Sequence, residues 1–403
     1  MKKLLLLSLY PSQQPIHGGQ HRLLQLEQAY RRFGFHVQSA GILGNEIYPR
    51  VPGYLPYPGR HTLASVCDPP DLLEDYAIGQ WICQDEGAFA RLMQTIEPGF
   101  DLIHVEQPWL FAAAGRLKAM LNPAAPVIYG SQNLEADLKR GILMGRDDTG
   151  VNQSRLAAIL TLEQEAARQA DLVLAVSEAE AAVVRQWTSR PVVVAANGVA
   201  QRPAPGPQAL EQLQSTLGSA QYALFAASPH PPNIDGFFDL FVPGLGSFKP
   251  DQRLVIAGGA GPAICRDSRI QKMALVGERL INLGYVSEEL LAALLGQAHC
   301  LVLPITTGAG TNLKTAEALW SGKHIVATSL AMRGFERFNR APGVQVCDDP
   351  VAFKQAIRQA MAQPLPQLDE PDIRARQSVL WTATLEPIRM ALEPLLQATG
   401  SNS

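Results

Sequence analysis

Short apolar runs alternate with longer amphipathic stretches along most of the chain. An uninterrupted apolar run of about four to eight residues is typical of a strand that is buried on both faces of a parallel sheet. Apolar residues spaced by about three or four positions are typical of a helix that covers such a sheet. Residues 19–33 show this helical spacing, and Gly34 suits the left-handed conformation that often follows a helix end. The alternation predicts repeated strand–helix–strand units and therefore an α/β protein.

The predicted strands form two series, one in each half of the chain. They lie at residues 3–10, 36–41, 102–106, 127–130, 172–176 and 192–196, and then at residues 222–226, 253–257, 281–285, 300–303 and 324–328. Each series is sufficient for one doubly wound parallel sheet. Between the two, residues 198–207 contain three prolines and two glycines without periodicity, which is typical of a linker. The sequence predicts an N-terminal domain over residues 1–200, a linker over 201–220, a C-terminal domain over 221–380 and a last helix over 381–403.

Composition and charge narrow the class of protein. The chain has 403 residues, of which 47% are hydrophobic and 18% charged, and this excludes a disordered or fibrous protein. The 34 Lys and Arg against 37 Asp and Glu give a net charge of −3, which argues against a nucleic-acid partner held through phosphates. No apolar stretch reaches the roughly 20 residues that a membrane-spanning helix needs. We expect a soluble protein, or one with at most peripheral membrane contact.

The N-terminus and the cysteines indicate the compartment. Two lysines and four leucines open the chain like a secretory signal, but the run ends at Pro11 with no small-residue cleavage site after it. A buried first strand is the better interpretation. The five cysteines are odd in number, scattered and never in a Cys-x-x-Cys spacing, so neither a disulfide framework nor a zinc site is predicted. We expect a cytoplasmic protein.

The segment after the predicted strand at residues 300–303 carries the richest chemistry. Gly308 and Gly310 form a glycine loop that leads into a predicted helix bearing Lys314 and Glu317. Backbone amides and the dipole at a helix start attract an anion, and glycines let a phosphate come close. Lys314 can reach the same anion, and Glu317 can accept hydrogen bonds from ribose hydroxyls. The alternative is a simple turn with a surface Lys–Glu pair worth a few tenths of a kcal/mol, but the position after a strand favours a nucleotide or sugar-nucleotide site.

A resemblance to a known family is carried by residues 306–336, which read TTGAGTNLKTAEALWSGKHIVATSLAMRGFE. This segment resembles the donor-binding motif of retaining glycosyltransferases with the GT-B fold, of the family 4 type, in the branch where a glycine run precedes Thr-x-Leu-Lys. Other segments follow in the family's order: a Gly-Gly pair after the first strand, SQNLE at residues 131–135, ADLVLAVS at 170–177, NGV at 197–199, HPPNIDG at 230–236 and IAGG at 256–259. The resemblance spans residues 3–334.

The resemblance implies two Rossmann-like domains that face a cleft, with the acceptor bound by the first, the donor by the second, and the last helix returning to the first. It implies transfer of a sugar from a nucleotide diphosphate sugar to a glycan, lipid-linked or small-molecule acceptor, with retained anomeric configuration and without a metal or cofactor. Lys314 and Glu317 are the expected catalytic residues, on the pyrophosphate and the ribose. The expected substrate-binding residues are Gly18, Gly19, Gln132, Asn133, Glu135, Gly308, Ala309, Gly310, Thr311, Asn312 and Arg333.

Three positions depart from the family's usual pattern. Ala309 stands where the motif normally has the first of two glutamates, although the glycine-run branch lacks that glutamate too. His230 is the only candidate cation near the first strand of the second domain, where a basic pair is usual, so Lys314 must bind more of the phosphate alone. Gln132 stands where many relatives have a histidine, and an amide hydrogen-bonds but does not carry a proton.

Several polar and aromatic residues of the first domain have two interpretations. Asn133 and Glu135 either contact substrate or form a turn with a solvated acid. Glu106, at a strand end, is a further site candidate, whereas His104 within the apolar strand is expected to be a satisfied core residue. Trp109 forms either part of an acceptor wall or ordinary packing.

Two other functions stay open at this stage. A non-hydrolysing UDP-sugar epimerase uses the same two-domain architecture and differs by epimerising the donor alone. A binding module of this fold would hold a nucleotide sugar or glycan without turning it over, which Ala309 and Gln132 would favour.

Overall fold

The structure is a computed structural model that describes residues 1–67, 73–143, 150–308 and 313–400. The chain divides into two compact units. Unit 1 consists of Met1–Ala196 and Leu385–Ser403, and unit 2 consists of Asn197–Thr384. Each unit has its own parallel sheet flanked by helices, so the predicted α/β fold class is confirmed.

Unit 1 is built on a seven-stranded sheet with the order β3-β2-β1-β4-β5-β6-β7. Its strands are β1 (Lys3–Ser8), β2 (His36–Ile42), β3 (Tyr54–Leu55), β4 (Leu102–Glu106), β5 (Val127–Ser131), β6 (Leu172–Ala175) and β7 (Val192–Val194). The helices that its described residues form before residue 196 are α1 (Gly18–Arg32), α2 (Arg60–Ala64), α3 (Glu74–Gln84), α4 (Glu86–Thr95), α5 (Phe111–Leu121), α6 (Glu135–Leu143), α7 (Gly150–Gln169) and α8 (Glu178–Val184). Every neighbouring pair of strands is parallel.

The start of unit 1 shows how the sequence pattern becomes structure. The four leucines of β1 are each at most 1% exposed, because helices cover both faces of the sheet. Helix α1 buries Leu23, Leu26 and Tyr30, which its period places on one face. The His17 side chain caps the start of α1 by accepting a hydrogen bond from the backbone N–H of Gln20. The predicted buried first strand and the helix after it are both confirmed.

Unit 2 is built on a six-stranded sheet with the order β10-β9-β8-β11-β12-β13, again parallel throughout. Its strands are β8 (Gln221–Ala226), β9 (Gln252–Ala257), β10 (Leu280–Gly284), β11 (Cys300–Leu303), β12 (His324–Ala327) and β13 (Val344–Val346). Its helices are α9 (Pro207–Leu217), α10 (Pro231–Phe241), α11 (Ala260–Arg266), α12 (Val276–Arg279), α13 (Glu288–Gln297), α14 (Leu313–Ser321), α15 (Pro350–Ala360), α16 (Glu370–Gln377) and α17 (Trp381–Thr384), with 3-10 turns at Ser268–Lys272 and Glu336–Phe338.

The strand order of unit 2 fixes where a ligand can bind. The chain runs outward from β8 to β9 and β10 on one side, and from β11 to β12 and β13 on the other. In open parallel sheets the connections diverge at such a switch point and leave a crevice at the carboxyl ends of the two central strands. The loops after β8 and β11 therefore border the ligand-binding edge of unit 2.

The predicted linker over residues 201–220 is wrong at Pro207–Leu217, which form α9. This helix starts with a proline, which suits the first helical position. Ala209, Leu213 and Leu217 are buried in the apolar core of unit 2, and α9 packs against α13. The prolines lie at the start of the predicted linker. The residues after them have the spacing of an amphipathic helix, and they belong to unit 2.

The last helix of the described ranges is α18 (Glu386–Gly400), which belongs to unit 1 and contacts β7. Residues 381–384 form α17 and belong to unit 2, so the segment that returns to unit 1 begins later than residue 381. Among the helices of the described ranges, none has the length and apolarity that crossing a bilayer requires.

Candidate functional site

Lys314 lies at the carboxyl edge of the unit 2 sheet, where α14 follows β11. Its Nζ donates a hydrogen bond of 2.9 Å to Oδ1 of Asn233, in the first turn of α10. Asn233 is 3% exposed, and its amide nitrogen donates to the backbone oxygen of Ser228 at 2.9 Å. Burial lowers the pKa of Lys314 to about 8, although the nearby carboxylate of Glu317 opposes the shift. The ammonium is therefore held between the two helices that border the crevice.

The position of α10 depends on a close backbone approach at Gly236. A Cβ on this residue would lie 1.9 Å from the backbone oxygen of Pro304, just after β11. Such a separation is far inside van der Waals contact, so only glycine fits there. The contact sets the distance between α10 and the loop after β11, and with it the reach from Asn233 to Lys314.

Glu317, one turn after Lys314, makes an ion pair that the sequence did not predict. Its Oε1 accepts hydrogen bonds from Nε of Arg202 at 3.0 Å and from Nη2 of the same guanidinium at 2.6 Å. Nη1 of Arg202 donates to Glu288, at the start of α13. Arg202 lies 115 positions before Glu317 in a proline-rich segment, so no local pattern could reveal the pair.

Gly308 and Arg333 are brought together at the same edge. Nη2 of Arg333 donates to the backbone oxygen of Gly308 at 2.8 Å, and Gly308 has a φ of 115°, which favours glycine. Nε of Arg333 is buried without a hydrogen-bond partner among the described residues. The other predicted members of this loop, Ala309, Gly310, Thr311 and Asn312, lie outside the residues that the structure describes.

The carboxyl edge of the unit 1 sheet brings Gly19 and Gln132 together. Gly18 and Gly19 begin α1, and a Cβ on Gly19 would lie 2.7 Å from the hydroxyl oxygen of Tyr10 and 3.2 Å from Oε1 of Gln132. The Tyr10 hydroxyl donates to this Oε1 at 2.9 Å, and Nε2 of Gln132 donates to Glu106 at 2.9 Å. Both ends of the Gln132 amide are therefore fixed by neighbouring side chains.

Glu106 is the centre of a buried charged network rather than an open site residue. Its Oε1 accepts from Nε of Arg22 at 2.9 Å, and its Oε2 bonds Nε2 of His104 at 2.8 Å. Nδ1 of His104 bonds the hydroxyl of Tyr30 at 2.7 Å, which confirms His104 as a satisfied core residue. Burial acts to raise the pKa of Glu106, but the Arg22 charge and the His104 hydrogen bond outweigh it and hold the pKa below its usual value. The carboxylate thus stays ionised inside the unit.

Glu135 is also buried, so the interpretation of this residue as a solvated acid is wrong. It is 2% exposed, and its Oε1 accepts hydrogen bonds from Gln107 at 3.1 Å and from Asn133 at 3.4 Å. Burial, together with the charge of Asp75, raises the pKa of Glu135 to about 8, against the opposing effect of Lys139.

A second buried acid, Glu163 of α7, holds the start of α6. Its two oxygens accept the backbone N–H groups of Glu135 at 2.6 Å and Ala136 at 2.9 Å. Since the first N–H groups of a helix have no partner within the helix, Glu163 caps α6 from a distance in the sequence. Burial raises the pKa of Glu163 to about 7. The cap fixes Glu135 and Asn133 at the end of β5.

A cavity of about 270 Å³ opens at the carboxyl ends of β1, β2 and β4, and we call it the unit 1 cavity. It is lined by Leu9, Tyr10, Gly44, Asn45, Tyr48, Glu74, Asp75, Gln107 and Lys139. Nζ of Lys139 pairs with Oδ2 of Asp75 at 2.5 Å. Trp109 is 1% exposed, so packing is its role and the acceptor-wall interpretation is wrong. Neutral hydroxyl and amide groups thus share this cavity with paired charges.

Two α/β units with polar groups at the carboxyl ends of their central strands form a GT-B glycosyltransferase fold. Family models identify both halves of the chain. Residues 17–198 match a glycosyl transferase 4-like domain, and residues 220–363 match the glycosyl transferases group 1. The chain belongs to the group 1 glycosyltransferases.

Solved structures of similar fold cover almost the whole chain. Sucrose-phosphate synthase from Thermosynechococcus elongatus is 18% identical with a TM-score of 0.70, over 99% of this chain and 100% of that chain. HepE of Anabaena in complex with UDP and glucose is 14% identical with a TM-score of 0.59, over 100% of each chain. The UDP-forming α,α-trehalose-phosphate synthase from Burkholderia vietnamiensis is 12% identical with a TM-score of 0.64, over 98% of this chain and 100% of that chain. No curated protein matches the chain by sequence.

Proposed function

We propose that this glycosyltransferase moves a sugar from a nucleotide diphosphate sugar to an acceptor hydroxyl with retained anomeric configuration and without a metal ion. Unit 2 would bind the donor and unit 1 a glycan, lipid-linked or small-molecule acceptor. The observation that carries the proposal is the ammonium of Lys314, fixed by Asn233 at the switch point of the unit 2 sheet. UDP is the first nucleotide to test, because HepE was solved with UDP and the trehalose-phosphate synthase is UDP-forming.

The proposed role of Lys314 follows from the charge that the reaction creates. Breaking the bond between sugar and phosphate leaves negative charge on the departing diphosphate. A fixed ammonium in a partly desolvated site stabilises that charge more strongly than the same group in water does. Asn233 supports this role, because its oxygen orients the ammonium before the ligand arrives. No group of three or more His, Cys, Asp or Glu side chains in the described ranges is arranged to hold a metal ion.

The remaining predicted site residues are assigned by their place at the strand ends. In the proposal, Glu317 accepts the ribose hydroxyls, and Arg333 with the loop at residues 308–312 contacts the donor. The Gly18-Gly19 turn, Gln132, Asn133 and Glu135 serve the acceptor side. Gln132 and Glu135 are held by hydrogen bonds within unit 1, which supports a positioning role for both.

Substitutions at Lys314 and Glu317 test the proposal. We expect Lys314→Met to weaken UDP binding roughly 10- to 100-fold, because a charge-assisted hydrogen bond is worth about 1.5–3 kcal/mol. Glu317→Gln should abolish most transfer while the protein stays folded. Lys323→Met is a matched control, since Lys323 is another half-buried lysine, two residues after the end of α14. Wild-type binding and turnover in both site variants would contradict the assignment.

Product analysis tests the finer parts of the proposal. The anomeric coupling constant of the product in proton NMR reports whether the configuration is retained, and activity after EDTA treatment reports whether a metal is needed. Incubation with the donor alone separates transfer from epimerisation, because an epimerase would convert the donor without an acceptor.

A further inference from the structure

Arg202 contacts the proposed ribose-binding carboxylate in an unusual way. Two of its nitrogens, Nε and Nη2, donate to the same oxygen, Oε1 of Glu317. The other oxygen, Oε2, accepts no hydrogen bond from any part of the chain that the structure describes. A carboxylate offers about four lone-pair sites, so one oxygen of Glu317 is used and the other is left for a ligand.

The guanidinium is itself held on its far side. Nη1 of Arg202 pairs with Glu288, whose side chain is 83% exposed, whereas the side chain of Glu317 is only 17% exposed. The planar fork of an arginine has fixed donor directions, so a guanidinium held at both ends restricts the carboxylate that it contacts. A lysine at this position would provide a point charge without that directional control.

We propose that Arg202 is a positioning residue of the nucleotide site, which fixes the conformation of Glu317 so that Oε2 is available to the 2′ and 3′ hydroxyls of the ribose. The inference rests on the proposed function and extends it to a residue outside the donor motif. It means that part of the selectivity for a ribonucleotide is set by the segment that opens unit 2. A carboxylate that is already ordered loses little conformational entropy when the ligand binds, and this increases affinity.

If Arg202 only anchored the chain, its substitution would change nucleotide binding in a different way. Arg202 joins the segment before α9 to α14 through Glu317, and removing an anchor at this point would disturb the site as a whole. Binding of every nucleotide would then weaken by the same factor. Removing a positioning residue weakens the binding of only those ligands whose hydroxyl groups contact Glu317. The comparison of ribose with 2′-deoxyribose therefore separates the two roles.

The test measures the Kd of UDP and 2′-deoxy-UDP by calorimetry for the full-length protein, with GDP and ADP and their 2′-deoxy counterparts as further pairs. We expect the wild type to bind the ribonucleotide about tenfold more tightly, as the loss of one charge-assisted hydrogen bond predicts. Arg202→Met should bind the ribonucleotide about as weakly as the wild type binds the deoxynucleotide. Its affinity for the deoxynucleotide should be unchanged. Arg202→Lys, which keeps the charge, should lose most of the discrimination as well.

Arg374→Met is the matched control, because Arg374 forms an exposed ion pair with Glu370 on α16 of the same unit. Discrimination that persists in Arg202→Met or Arg202→Lys, or an equal loss for both nucleotides, overturns the positioning role and leaves the proposed function intact. A wild type that binds none of the nucleotides contradicts the proposed function and this inference together. A wild type that binds both members of a pair equally overturns the inference together with the ribose role of Glu317, and leaves the proposed sugar transfer itself intact.

Discussion

The lowered pKa of Lys314 makes nucleotide binding sensitive to pH in a way that can be calculated. In the free protein, burial lowers this pKa to about 8, so the ammonium loses its proton within an accessible range. A bound diphosphate favours the charged form and raises the pKa of the complex. By linkage, affinity then falls as the pH rises above the free-protein pKa. The protonated fraction decreases about tenfold between pH 7 and pH 9, which corresponds to about 1.4 kcal/mol of binding free energy.

The assay is a calorimetric titration of UDP at several pH values between 7 and 9 in a buffer series of constant ionic strength. The terminal phosphate titrates near pH 6, so its own charge is almost constant over this interval. Lys314→Met should bind weakly and without this slope, whereas Lys323→Met should keep it. Any ionisation of the nucleobase affects all three proteins equally and cancels in the comparison.

Two results would refute the reasoning about Lys314. A wild-type affinity that is constant from pH 7 to pH 9 would mean that the ammonium does not contact the diphosphate, or that its pKa is not lowered. An equal slope in Lys314→Met would assign the titration to another group.

Three further predictions concern the stability of the two units. Gly236→Ala should lower the melting temperature of unit 2, at a cost of about 1–3 kcal/mol or more from the clash with Pro304, whereas Gly296→Ala, in a helix with open space around it, should be neutral or stabilising. Arg22→Met should cost about 3–5 kcal/mol in chemical denaturation, because Glu106 would be left buried and charged. Unit 1 should lose stability as the pH rises from about 4.5 towards 8, since burial raises the folded-state pKa of Glu135 to about 8 and that of Glu163 to about 7, and Glu135→Gln should reduce that dependence to the part that Glu163 contributes.

The sequence predicts the sheets well because a strand buried on both faces must be apolar throughout. Two of the four edge strands, β3 and β13, were not predicted, because β3 has only two residues and the apolar run of β13 is interrupted by Gln345. The edge strand β7 is as short as β13, but its three valines form an apolar run that could be recognised. Helix α9 was missed because the prolines before it dominate the composition of the segment, although its leucine spacing was available.

The sequence predicted the candidate site only where the site residues lie close together along the chain. Lys314 and Glu317 lie on one helix, so their spacing could be interpreted directly. The partners that fix them could not be found in this way, because Asn233 precedes Lys314 by 81 positions and Arg202 precedes Glu317 by 115. The same holds for the contact between Arg22 and Glu106, which are 84 positions apart. Such pairs are brought together by the topology of the sheet. The periodic patterns of a single sequence do not indicate contacts between residues so far apart along the chain.

The path of the chain through the two units has a consequence for biosynthesis. Unit 2 is one continuous segment, whereas unit 1 needs both its first 196 residues and the segment from Leu385 onward. Because domains fold as they leave the ribosome, unit 2 can complete its core before α18 has been synthesised. Unit 1 reaches its final form only when α18 packs beside β7. Translation that stops before residue 385 would therefore release a finished unit 2 joined to an incomplete unit 1, a product that quality-control proteases should recognise by its uncovered apolar surface.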